Sequence, residues 1–212
     1  AREAFVANAP SACSAQCAAC STVKTKQMTL ISIFALMTAV GTRLMIPLPV
    51  IPFTLQTLAV VLAGLLLGPG AGAASQALYV LLGLAGLPVF TSAAGPAAVL
   101  MPSFGYAAAF IPGAWVSGMA VRIFRERRGS VTRAEYFAAA MAGVFVIYAI
   151  GVPYLYAALN LWVGSGGASV AKVLSIGFLS TIGGDVVKCV IAAVVAERLE
   201  HSGVLSAAVH DR

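Results

Sequence analysis

The chain has 212 residues, 60% of them apolar and only 9% charged, with a net charge of +6 and a mean hydropathy of +0.96. Soluble domains carry about 25% charged residues, and here no Asp, Glu, Lys, Arg or His occurs from Leu44 through Val121, too little polarity to cover a water-soluble fold. Disorder, nucleic-acid binding and a secreted disulfide framework are disfavoured by the same figures, and the chain reads as an integral membrane protein.

Residues 1–26 read as a flexible tail, rich in Ala and Ser and without the apolar core of a signal peptide. Cys13, Cys17 and Cys20 stand at C-x3-C-x2-C, the cluster spacing of radical enzymes, but such a site needs a large soluble α/β domain that this chain does not have. An inert tail or modifiable juxtamembrane thiols are the readings left. The fourth cysteine, Cys189, falls inside the last apolar segment.

A crossing helix needs about 20 apolar residues. Candidates lie at 27–46, 54–68, 71–90, 104–124, 134–162 and 170–197. Pro47, Pro49 and Pro52 close the first, because proline removes a backbone donor and clashes with the preceding turn. Gly68-Pro69-Gly70 turns between the second and third. The segment 86–105 is broken by Pro88, Pro96 and Pro102, and glycines at 164–167 end the fifth span. The fold class predicted is therefore all-α: six transmembrane helices in one domain, 27–198, followed by a C-terminal tail, 199–212, whose His201 and His210 read as solvated.

The second candidate is short, about 15 residues or roughly 22 Å of helix against a ~30 Å core. Short or Gly/Pro-interrupted segments at membrane depth usually line a cavity; local thinning or tilt is the plain alternative.

Arg122, Arg125, Arg127, Arg128 and Arg133 cluster between the fourth and fifth candidates, a cytoplasmic-loop signature, since Lys and Arg resist translocation. With six spans both termini are then cytoplasmic, in agreement with Lys24, Lys26 and Arg198 at the flanks. The loops 47–53, 86–103 and 163–169 face outside, and none is charged. A bacterial cell membrane is expected, an organellar membrane being the alternative.

Asp185 and Lys188 lie at i and i+3 on the sixth span and share one helix face. Each charge at the bilayer centre costs about 2.5–3.5 kcal/mol on insertion scales. Mutual pairing offsets part of that, so a structural ion pair is one reading. The other is a polar substrate site, because intramembrane ionisable residues usually mark a cavity; Gly183-Gly184 beside them permits close approach.

Gln56, Thr57, Gln76, Tyr79, Tyr106 and Asn160 are further polar candidates for that cavity, or partners for neighbouring helices. Phe53, Phe90 and Phe104 add flat apolar surface at the outer ends, which suits a ligand with a hydrogen-bonding head and an apolar body. Arg43 is a lone cation that snorkels or meets a substrate carboxylate. Ala35 and Ala39 form a small-residue face, a weak signal alone in so alanine-rich a chain.

The run Ile46-Pro47-Leu48-Pro49, then Pro52-Phe53-Thr54-Leu55-Gln56-Thr57-Leu58 and Ala63-Gly64-Leu65-Leu66-Leu67-Gly68-Pro69, resembles the BioY family, the biotin-binding substrate component of energy-coupling-factor (ECF) transporters. Gly86-Leu87-Pro88-Val89-Phe90, Gly105-Tyr106 and Gly184-Asp185-Val186-Val187-Lys188 extend the resemblance to about residues 28–198. It implies a six-helix substrate-capture protein rather than an enzyme, with biotin bound near the outer face. Its partners would be a transmembrane coupling protein, two ATPases and the surrounding lipid, with no nucleic acid, cofactor or metal. By the same analogy Asp185 accepts the ureido N–H groups of biotin, and Lys188 pairs with Asp185 or reaches a ligand oxygen. Phe53 and Phe90 pack the ring and chain, and Ala35 and Ala39 form the face for the coupling protein.

One block departs from the family. Met101-Pro102-Ser103-Phe104-Gly105-Tyr106 stands where members usually read Gly-Pro-Thr-Gly-Gly-Tyr, which leaves open how the valerate end is held. No Walker A pattern is present, so any ATP-driven step belongs to partners, unless the protein works alone as a homo-oligomer. Other ligands within the same architecture are another vitamin, such as thiamine or riboflavin, or a biotin precursor. An intramembrane enzyme using Asp185 and Lys188 as acid and base lacks a second carboxylate, a metal-ligand set or a nucleophile–His arrangement.

Overall fold

The computed structural model of the protein describes residues 10–46, 53–91, 94–161 and 169–202. In chain order these form α1 (Pro10–Arg43), a short antiparallel pair β1 (Met45–Ile46) and β2 (Phe53–Thr54), α2 (Gln56–Leu84), a 3-10 turn (Pro96–Leu100), α3 (Phe104–Arg128), α4 (Arg133–Leu161), α5 (Val170–Leu174), a π turn (Ser175–Leu179) and α6 (Ser180–His201). In the strand pair Met45 stands opposite Thr54 and Ile46 opposite Phe53. The architecture is all-helical, and α2, α3 and α4 are long and apolar enough to cross a membrane.

The helical run α2 contains a sharp break. Gly68 takes φ 78, ψ −179, a backbone region open mainly to glycine. Pro69 restarts the helix where a missing N–H costs nothing. The two arms fold back on each other: a Cβ on Gly72 would meet the backbone of Ala63 and Gly64, and Gln56 Nε2 donates to Tyr79 Oη at 2.6 Å. The first arm is about 18 Å long, so the shortness expected for this segment is a property of the fold.

Small residues bring the helices together. In lipid there is little hydrophobic drive between helices, so close backbone approach and van der Waals contact carry the association. A Cβ on Gly64 would strike Ala114 and Ser117 of α3, and one on Gly118 would strike the Gly68–Pro69 backbone. Gly143 of α4 faces Ser117 in the same way. Large apolar side chains point outward instead, among them Leu36, Leu81, Phe145 and Val187, as a bilayer allows.

At one end of the bundle α3 stops at Gly129, which is left-handed with φ 75. Thr132 and Glu135 then form a capping box for α4: the Thr132 amide donates to the Glu135 carboxylate at 2.8 Å, and the Glu135 amide to Thr132 Oγ1 at 3.4 Å. Ion pairs Arg125–Glu200 (2.7 Å) and Arg133–Glu197 (2.6 Å) tie this basic turn to the end of α6.

Helix α1 runs from Pro10 to Arg43, across the expected start of the first span at residue 27; the side chains of Cys13, Cys17 and Cys20 lie outside the described residues. Ala35, expected on a face for a second protein, is buried and packs with Val60 and Tyr79 of α2, with Ala39 half-buried against the same cluster. The outward side of α1 carries Ile33, Leu36, Met37 and Val40.

Candidate functional site

At the end opposite the basic turn, α2, α3, α4 and α6 line a cavity open at its mouth. Its polar wall comes from α6, where Thr181, Asp185 and Lys188 recur at helical spacing on one face. Lys188 Nζ donates to Asp185 Oδ1 at 2.7 Å and to the Thr54 carbonyl at 2.5 Å. Tyr148 of α4 donates to the other carboxylate oxygen of Asp185 and shares a 2.8 Å hydrogen bond with Thr181 Oγ1. Asp185 and Lys188 are only 4% and 5% exposed, a burial that an isolated charge could not sustain.

The polar chain continues around the wall. Thr54 Oγ1 donates to Gln56 Oε1 at 3.0 Å, Gln56 Nε2 to Tyr79 Oη at 2.6 Å, and Tyr79 Oη to the Val89 carbonyl at 3.2 Å. Among the described residues no buried side-chain nitrogen or oxygen lacks a partner. Satisfied networks of this kind are rigid.

The opposite wall is aromatic. Phe90 stands edge-on to Tyr79 (5.5 Å between centroids) and to Phe104 (6.1 Å), the geometry favoured by ring quadrupoles. Phe90 lies across Gly83, where any Cβ would overlap its ring. Tyr106 Oη donates to the Gly177 carbonyl in the π turn at 3.0 Å, and its ring stands edge-on to Tyr148; π turns are frequent at functional sites.

Of the residues singled out in the sequence, Asp185, Lys188, Gln56 and Thr57 line the cavity, as do Tyr79, Phe90, Phe104 and Tyr106. Gln76 does not. It is fully buried between α1 and the second arm of α2, accepting from Thr38 Oγ1 at 3.3 Å and donating to Ser75 Oγ at 3.0 Å. Asn160 donates to the Tyr156 carbonyl within α4, and the side chain of Phe53 lies outside the described residues. Arg43 donates to the Pro88 carbonyl at 2.9 Å.

Sequence reasoning missed Tyr148, Thr181 and Thr54. Thr181 was findable, one helical turn before Asp185 on the same face. Thr54 meets Lys188 through its main-chain carbonyl, which no side-chain pattern reveals.

The family model "BioY family" matches residues 14–203. The chain belongs to the BioY family. Its BioY relatives include a probable biotin transporter BioY of Lysinibacillus sphaericus, 43% identical over 82% of this chain and 87% of the relative. The biotin transporter BioY of Thermotoga maritima is 39% identical over 82% of this chain and 96% of its own length. Among solved structures, the 2.1 Å crystal structure of the S-component for biotin from an ECF-type ABC transporter matches with a TM-score of 0.72 and 27% identity, covering 84% of this chain and 92% of that one. BioY membership accounts for the motif blocks on which the resemblance was drawn.

Proposed function

We propose that this chain captures biotin for uptake, as the substrate-binding S component of an ECF-type transporter. The observation that carries the reading is the pairing of a buried carboxylate–ammonium wall with an aromatic wall across one cavity. A ureido ring offers two N–H donors and one carbonyl acceptor. Asp185 supplies the acceptor for N–H, Lys188 the donor for the carbonyl oxygen, and Phe90, Tyr79 and Phe104 the flat surface for the rings. Gln56 and Thr57 extend the polar edge of the site, and Tyr106 buttresses Tyr148.

Six crossings follow if the two arms of α2 count separately alongside α1, α3, α4 and the α5–α6 rod. The basic turn and both termini then lie in the cytoplasm of a bacterial cell, and the cavity opens outside. Energy comes from partners, a transmembrane coupling protein and two ATPases. Docking on α1 uses its outward side beside Ala39, since Ala35 is covered by α2. A homo-oligomer would be the arrangement in a cell without those partners.

Equilibrium binding of radiolabelled biotin to the purified chain in detergent, wild type beside Asp185→Asn, tests the reading. Tight saturable binding by wild type and at least about tenfold weaker binding by the variant is expected, the loss of one charged hydrogen bond. No saturable binding by folded, monodisperse wild type overturns it.

A further inference from the structure

Among the described residues lining the cavity there is one acid and one base, and they neutralise each other at 2.7 Å. Lys188 also donates to the Thr54 carbonyl, so its charge is already committed to the wall it belongs to. The rest of the described lining is uncharged, and toward the mouth it includes Phe90, Met101 and Phe104 with the hydroxyls of Thr91 and Ser103. The stretch from Leu44 through Val121, which supplies much of this lining, contains no Asp, Glu, Lys, Arg or His.

Two other cations belong to this end of the bundle. Arg43 is exposed and donates to the Pro88 carbonyl. Lys172 belongs to α5, about 20 Å along the helical rod from Asp185. Arg43 is not among the described lining residues, and the side chain of Lys172 lies outside the described residues.

A carboxylate taken into a neutral, largely apolar chamber loses its hydration without gaining a counter-charge, which is strongly unfavourable. Biotin, the ligand in the reading above on which this inference rests, has a neutral ureido head at one end and a carboxylate at the other. The ion pair is complementary to the head. The carboxylate therefore stays in water at the mouth.

We infer that the site recognises the ureido head and is indifferent to the charge of the carboxylate, so that its substrate class includes biotin esters, biotin amides and biotinyl-lysine. Recognition by hydrogen bonds at one end leaves the other end free to vary.

The test is competition against radiolabelled biotin on the full chain in detergent, using biotin, its methyl ester, biotinamide, biotinyl-lysine and a biotin acylated on a ureido nitrogen. The three carboxyl derivatives are expected to compete within about tenfold of biotin, and the ureido-blocked compound at least about a hundredfold worse. Arg43→Ala and Lys172→Ala are expected to leave the ester-to-biotin ratio unchanged. A loss of a hundredfold or more on esterification overturns the inference while biotin capture stands, and a ratio that changes in either cation variant identifies the reader of the carboxylate and overturns it too. Absence of saturable biotin binding takes down the capture reading itself and the inference with it.

Discussion

Lys188 joins two parts of the chain: its ammonium donates to Asp185 on its own helix at 2.7 Å and to the main-chain carbonyl of Thr54, just before α2, at 2.5 Å. One side chain thus ties α6 to the start of the α2 hairpin and fixes the carboxylate that faces the cavity. Removing one member of a buried ion pair typically costs about 3–5 kcal/mol, whereas replacing both by apolar groups is often near neutral. Lys188→Met is therefore expected to lower the unfolding temperature in detergent markedly, and Asp185→Leu/Lys188→Met to recover much of the loss without recovering biotin binding. A double variant no more stable than the single one would show that the pair matters for something other than charge compensation.

Tyr148→Phe keeps the ring that stands edge-on to Phe178 and Tyr106 but deletes the hydroxyl shared by Asp185 and Thr181. Leaving one carboxylate oxygen without its donor is worth about 1–3 kcal/mol. Biotin dissociation constants are expected to rise about tenfold, with the helical circular-dichroism spectrum unchanged.

Gly118 and Gly70 give a matched pair. A Cβ at Gly118 would run into the backbone of Gly68 and Pro69, whereas one at Gly70 has nothing within 4 Å. Gly118→Ala is expected to destabilise by about 1–3 kcal/mol through overpacking. Gly70→Ala should be neutral or stabilising by up to about 1 kcal/mol. Thermal unfolding followed by size-exclusion chromatography separates them.

Ala35→Trp and Leu36→Trp test how α1 is seated. Ala35 is 2% exposed and Leu36 65%. Tryptophan at 35 has no room against α2 and is expected to abolish a monodisperse peak; at 36 it projects outward and leaves the peak and biotin binding intact.

Much of the fold was legible because its punctuation is backbone chemistry. Gly68-Pro69 marked the break in α2, and the run of arginines with Gly129 marked the turn between α3 and α4, each dictated by what glycine, proline and charge can do locally. The Asp185–Lys188 pair was legible for a similar reason, since so few charges occur in the apolar segments. Gln76 and Tyr148 were not, because an amide or a phenol in an apolar helix is equally at home on a neighbour or in a cavity. Thr38 and Ser75 engage Gln76, whereas the rotation of α4 turns Tyr148 toward α6, and neither rotation is written in a single helix. Ala35 and Ala39 are ambiguous for the same reason: a small-residue face says that something approaches closely, not whether it comes from the same chain.

The hairpin tip at Gly68 rests beside Gly118, and α3 runs on from there for about another 15 Å to Arg128. On that flank the first arm of the hairpin is only about 18 Å long and the second about 24 Å, both short of a ~30 Å hydrocarbon core. Lipid must dip toward the tip, or neighbouring segments must cover it. Either way the apolar layer between the cavity and the end of the bundle that carries the basic turn is thin along this flank.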